Sequence, residues 1–213
     1  MQEHHHVDPA ERLHRVQGQL TRVAQPDPDH LHPPHGTHAL TPGHPRRDGG
    51  RHILKMGGVW TFVQSSLVPA DTDTVWRRVV TPEGINDEMR PWMAMSLPPD
   101  ADVHSIDAVR VGEPLGRARL RLFGLIPFDH DDLVITELEP GRRFLEESTM
   151  ASMRRWIHER TVLPGPGGAT TITDRVAFEP RAFLTWAGPV LRPVVAAFFD
   201  HRQRRLVRHF AGR

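Results

Sequence analysis

The chain has 213 residues, 38% of them hydrophobic, and its 27 Lys or Arg against 26 Asp or Glu leave a formal net charge of +1 at pH 7. That length holds one domain of ordinary size with an appendage, or two small domains. There is no cysteine, which excludes disulfides, thiolate metal sites and a cysteine nucleophile and fits a reducing compartment. Lys55 is the single lysine, a bias that reads as a GC-rich genome rather than a function.

Residues 1–55 hold ten of the fifteen histidines and seven prolines, with few aromatic or β-branched side chains. Burial in such a stretch cannot offset the entropy of ordering it, so a disordered tail is expected, with one short helix over residues 9–24. Its histidines (His4, His5 and His6, then His30, His32, His35 and His38) invite a metal reading. A flexible His/Pro tract gives no fixed ligand geometry, and adventitious binding only is expected. Met56 directly precedes the first strand-like run and is a second candidate start, in which case residues 1–55 are not translated. No apolar run approaches the roughly 20 residues that span a bilayer, and the N-terminus lacks a secretory signal. A cytoplasmic location is the default expectation.

Residues 56–213 form the expected domain. They carry 27 − 7 = 20 basic and 26 − 6 = 20 acidic side chains, a neutral balance that argues against nucleic-acid binding. "VWTFVQSSLV" (59–68) reads as a strand. Asp71 or Thr72 then caps a helix over 72–80, and Thr81 with Pro82 starts a second over 81–89. "PWMAMSLPP" (91–99) leads away from it, and an edge strand is expected near Ser105–Val111. Strand-like runs follow at 115–124, 131–139, 142–149, 153–163 and 169–179, joined in part by "PG" and "PGPGG" turns. The chain closes with a helix over 188–210. Val190, Leu191, Val194, Val195, Phe198 and Phe199 recur there at helical spacing, as an apolar stripe facing the sheet.

This order predicts an α+β fold, a curved antiparallel sheet wrapped around a long C-terminal helix with two short helices after the first strand. The stretches "LVPADTDTVWRRV", "LEPGRRFLEEST" followed by "RRWIHERTV", and "TTITDRVAFEP" are similar to the helix-grip (SRPBCC) superfamily. That superfamily includes Bet v 1-like proteins, START lipid-transfer domains and polyketide cyclase-like proteins. The resemblance covers roughly 59–211 and is nearest to bacterial members with no assigned reaction. It implies a fold and a general ligand-binding role. The glycine-rich loop of plant Bet v 1 proteins is missing, so nothing carries over from that loop.

The last two strands hold the candidate site. In "RRWIHER" (154–160), Trp156, His158 and Arg160 share one face because strand side chains alternate. Centring the hairpin near residue 166 sets His158 opposite Asp174, Trp156 opposite Val176 and Arg160 opposite Ile172. One face then carries Trp156, Ile172, Val176 and Phe178. The other carries Arg155, Glu159, Thr171, Thr173 and Arg175, so the first face belongs inside. Asp174 is expected to neutralise His158, Arg160 or both, since buried charge needs a partner.

Three roles remain open for these groups: a structural network, a polar anchor for a ligand, or His158 as an acid/base oriented by Asp174 with Arg160 stabilising an oxyanion. Expected ligand contacts are Trp156, His158, Arg160, Asp174, Val176, Phe178, Trp92, Met95 and Phe198. "PFDHDD" (127–132) reads as a cavity mouth or solvated turn, and one of Glu146 and Glu147 points inward. The expected partner is a small hydrophobic molecule (a lipid, polyketide or aromatic metabolite). Alternatives are a cyclase or dehydratase-type enzyme and a client-protein interaction domain. No cofactor, metal or obligate protein partner is expected. The basic helix end (Arg202, Arg204, Arg205, Arg208 and His209) reads as a solvated face, with anionic lipid headgroups as its weaker alternative.

Overall fold

A computed structural model describes residues 55–56, 58–97 and 104–212. The expectations for residues 1–54, the short helix included, lie outside the described residues. Eight strands form one antiparallel sheet: β1 (Lys55–Met56), β2 (Val59–Val68), β3 (Met93–Ser96), β4 (Pro114–Leu122), β5 (Ile126–Glu139), β6 (Arg143–Met150), β7 (Met153–Pro164) and β8 (Thr170–Pro180). Their spatial order is β1-β2-β8-β7-β6-β5-β4-β3. Helices α1 (Thr72–Val79) and α2 (Pro82–Met89) follow β2, and α3 (Gly188–Ala211) ends the chain. This is the expected helix-grip architecture.

Local chemistry starts both short helices. The Asp71 side chain accepts from Thr74 N at 2.9 Å, and Thr81 Oγ1 accepts from Gly84 N at 3.1 Å, each satisfying a backbone donor that the helix leaves free. Glycine is required at position 84, because a Cβ there would lie 1.9 Å from the Arg78 carbonyl oxygen. The Asn86 side chain then fixes β3, donating to Met95 O and accepting from Met95 N at 2.9 and 2.8 Å. β3 is absent from the sequence reading, since "MAMS" alone carries no alternation.

Three expectations are corrected. Ser105–Val111 is not an edge strand: Ile106–Ala108 forms a 3₁₀ turn that buries Ile106 against the end of α1. Trp76 Nε1 donates to Asp107 Oδ2 at 2.9 Å and holds it there. The β7–β8 register is displaced by two residues. Arg160 faces Asp174, His158 faces Val176, Trp156 faces Phe178, and Val162 faces Ile172. The loop spans 165–169 around Gly167, closed by Gly165 N donating to Ala169 O at 2.8 Å, with Gly167 and Gly168 at positive φ. A shift of two preserves parity, so the same side chains still point inward.

The third correction concerns α3. Its second half packs on the sheet through Phe199, Leu206 and Phe210. Its first half divides: Leu191, Val195 and Phe198 pack against the apolar cluster of Phe62, Val176 and Phe178, whereas Val190 and Val194 are 64% and 59% exposed. The segment Ala182–Ala211 contains an 18-residue window of mean hydropathy 1.5, long and apolar enough by composition to cross a membrane. Arg202 and Gln203, both buried against the sheet side, interrupt the segment in its final third.

Candidate functional site

Between the concave face of the sheet, α2, β3 and the first half of α3 lies a cavity of about 690 Å³, within the range of small-molecule sites. Its walls are mostly apolar, with Met89, Met93, Leu133, Phe144 and Phe199 among them. Trp92, Phe123, Phe128 and Val194 line it and are also exposed, which places them at its mouth.

Of the expected contacts, Trp156, His158, Trp92, Met95 and Phe198 line this cavity. Arg160, Asp174, Val176 and Phe178 do not: all four are 0% exposed, behind the lining. Val176 and Phe178 pack in the apolar cluster with Phe62 and Phe199, whereas Val162 and Ile172 belong to a second cluster around Trp76 and Phe144. The polar groups separate the two.

Those polar groups form one chain of ion pairs. Arg160 Nε and Nη2 donate to the two oxygens of Asp174 at 2.7 and 3.0 Å, and its Nη1 donates to Glu88 Oε1 at 2.8 Å. Burial opposes the guanidinium charge, but Asp174 and Glu88 outweigh it and raise the arginine's pKa. Burial alone would raise Asp174; Arg160 and His158 outweigh that and hold its carboxyl well below the usual range. Arg202 of α3 pairs with Glu88 at 3.1 Å and stacks over the Phe199 ring, and Gln203 donates to Asp174 Oδ2 at 2.8 Å. With its fork turned to two carboxylates and no exposed surface, Arg160 lies behind the lining and does not reach the cavity. The basic helix end is a solvated face only in part: Arg204 and Arg208 are exposed, whereas Arg202 is buried and Arg205 pairs with Asp87.

His158 connects this network to the cavity. Its Nε2 lies 2.8 Å from Asp174 Oδ1 and donates to that ionised carboxylate, while Nδ1 lies 3.6 Å from Glu146 Oε2. Its ring meets Phe199 and Phe144 edge-on, centroids 5.0 and 5.6 Å apart.

The sequence reading left the carboxylates of the cavity wall only partly placed. Of the two alternatives for "PFDHDD", the structure has the cavity mouth and not the solvated turn, because β5 begins at Ile126 and Phe128 and Asp129 line the cavity. Alternation then aims Asp129 and Asp131 into the cavity with Leu133 and Ile135, while Asp132 pairs with Arg117 at 2.8 Å. Asp129 accepts from the backbone N–H groups of His130 and Ala151 and from Ser152 Oγ. Asp131 is 4% exposed and its Oδ1 has no hydrogen-bond partner. Burial, then the neighbouring Glu146 charge, push the Asp131 carboxyl up to about 9. Glu146 is the inward member of its pair and accepts from Ser148 Oγ at 3.0 Å. Glu147 lies on the outer face, 3.7 Å from Arg155. Among the described residues, no three His, Asp or Glu side chains are grouped to hold a metal ion.

Comparison with known proteins follows the same lines. A sequence profile described as Domain of unknown function (DUF8410) matches residues 66–210, and no curated protein matches the chain. A START superfamily protein from Mycobacterium smegmatis superposes with a TM-score of 0.52 at 9% identity, over 71% of this chain and 97% of that one. A Chromobacterium violaceum protein gives 0.53 at 15% identity, over 70% and 96%. The protein Ara h 8.0201 gives 0.51 at 10% identity, over 73% and 100%. At such identities the likeness is one of fold, the helix-grip fold. By the profile match across most of its folded part, the chain belongs to the DUF8410 family.

Proposed function

We propose that this protein binds a small hydrophobic molecule, such as a lipid, a polyketide or an aromatic metabolite, in the cavity between its sheet and α3. The observation that carries the reading is the cavity itself, about 690 Å³ with mainly apolar and aromatic walls. A protein interior normally packs such a volume with side chains, so leaving it open forgoes burial that a bound apolar ligand restores. The methionines suit ligands of varied shape, because unbranched thioether chains repack readily. The fold shared with a START superfamily protein supports the reading in kind.

The test is equilibrium binding of the neutral dye Nile red, followed by its fluorescence. Saturable binding at one dye per chain is expected, weakened at least tenfold in Leu133→Trp, which places an indole in the cavity wall. Equal binding by the two folded proteins would refute the assignment.

One observation favours a second reading, proton-transfer catalysis of the cyclase or dehydratase type. His158 borders the cavity with its far nitrogen fixed by Asp174, as a positioned acid/base requires. Arg160 has no part in it. Turnover of a bound polyketide that ceases in His158→Ala while dye binding persists would establish this reading, and unchanged turnover would remove it.

A further inference from the structure

We infer that the acidic wall of the cavity, Asp131 with Glu146, is a binding site for the protonated amine of a hydrophobic ligand. This rests on the apolar-ligand reading and adds the chemistry of the ligand's polar end.

The inference starts from an unanswered acceptor. Asp131 is almost wholly buried and borders the cavity beside Glu146 and Ser148, yet its Oδ1 has no hydrogen-bond partner. A buried carboxyl oxygen without a partner forfeits its hydration and receives nothing for it. Once ionised, that oxygen needs a donor, and the cavity is the side from which one can come.

Charge narrows the choice. The arginines near the cavity are already committed: Arg160 to Asp174 and Glu88, and Arg202 to Glu88. His201 of α3 meets the Arg90 carbonyl oxygen at 2.7 Å. His158 lies between Asp174 and Glu146. Among the described residues no arginine forms an ion pair with Asp129, Asp131 or Glu146, so this wall carries excess negative charge. A carboxylate ligand would be repelled there. A hydroxyl would supply a donor but no charge, whereas an ammonium supplies both. Aromatic rings of the lining, Trp156, Phe144 and Phe199, add cation–π attraction for an alkylammonium that leaves water.

In the empty cavity the Asp131 carboxyl keeps its proton at neutral pH, through burial and the neighbouring Glu146 charge. The ammonium of the ligand takes that proton's place: R–NH₃⁺ enters, Asp131 ionises, and one proton leaves to the buffer. Glu146, the second carboxyl of the wall, shares the new cation.

The experiment compares n-decylamine, n-decanol and decanoate at pH 7 by calorimetry on the full chain, at concentrations below micelle formation. Titrations in buffers of different ionisation enthalpy count the protons released. We expect n-decylamine to bind at least tenfold tighter than n-decanol, decanoate to bind more weakly than either, and close to one proton to leave per amine bound. In Asp131→Asn, n-decanol affinity should persist while the amine preference and the proton release both vanish. Glu146→Gln is the companion variant and should lower amine affinity at least tenfold. Binding of n-decanol as tight as n-decylamine in the unmodified protein overturns the amine site and leaves the apolar cavity standing, as does an amine preference intact in both variants. Failure of all three compounds to bind overturns both readings.

Discussion

Replacing Asp131 by asparagine should make this protein more stable, and the gain should depend on pH. The folded carboxyl is held at about 9 against an ordinary 3.8. At pH 7 the unfolded chain carries an ionised aspartate, and folding must add a proton to it. The cost is 2.303RT(7 − 3.8), about 4 kcal/mol, a large share of the 5–15 kcal/mol typical of a domain. The sign is that of a raised acid. Nothing is lost below the unfolded value near 3.8, the penalty grows through neutrality, and it levels off above about 9. An asparagine keeps the shape of the neutral carboxyl without needing the proton. Urea unfolding of the two proteins at a series of pH values would measure the difference. It should be small at pH 4 and widen by about 1.4 kcal/mol per pH unit toward neutrality. A difference that stays constant from pH 4 to pH 9 would refute a protonated Asp131. Buried cost at one cavity-lining residue is what a ligand site tolerates and a purely structural position does not.

Other perturbations separate the structural network from the cavity. Arg160→Met strands Glu88 and Asp174 without their shared cation. It should lower stability by about 3–5 kcal/mol, seen as a reduced urea midpoint; Arg160→Lys should not restore it, because a single ammonium cannot bridge both carboxylates. Asp174 behaves oppositely to Asp131, its folded pKa lying well below 3.8. Its stabilising contribution is present above the unfolded value and is lost as pH falls through the folded one. The stability difference between the unmodified protein and Asp174→Asn should therefore be flat from pH 5 to 8 and shrink below about pH 4. Gly84→Ala drives a Cβ against the Arg78 carbonyl oxygen and should cost about 1–3 kcal/mol, measured by the same unfolding assay.

The inward face of β7 and β8 was legible because parity depends only on alternation. Trp156, Ile172, Val176 and Phe178 fall on one side whichever even register holds, and His158, Arg160 and Asp174 are carried in with them. The pairing itself was not legible. It depends on a loop centred on Gly167, one residue beyond the assumed centre, and "PGPGG" is compatible with either. The partners of Arg160 show the other limit. Glu88 lies 72 residues away on a short polar helix, and Arg202 and Gln203 sit on a helix end that reads as basic and solvated. Only the fold brings them together. Asp131 carried a usable signal: extending the alternation of Leu133 and Ile135 back into "DHDD" points Asp131 and Asp129 inward. The density of acidic residues there left a cavity mouth and a solvated turn both open and hid that pattern.

The most direct test is native mass spectrometry of the protein purified from cells under mild conditions, repeated after incubation with n-decanol. A single small organic molecule retained per chain, or taken up on incubation and lost with Leu133→Trp, is the expected result. Bare protein in both preparations would mean that the space between sheet and α3 holds no ligand, and the proposed function would fall.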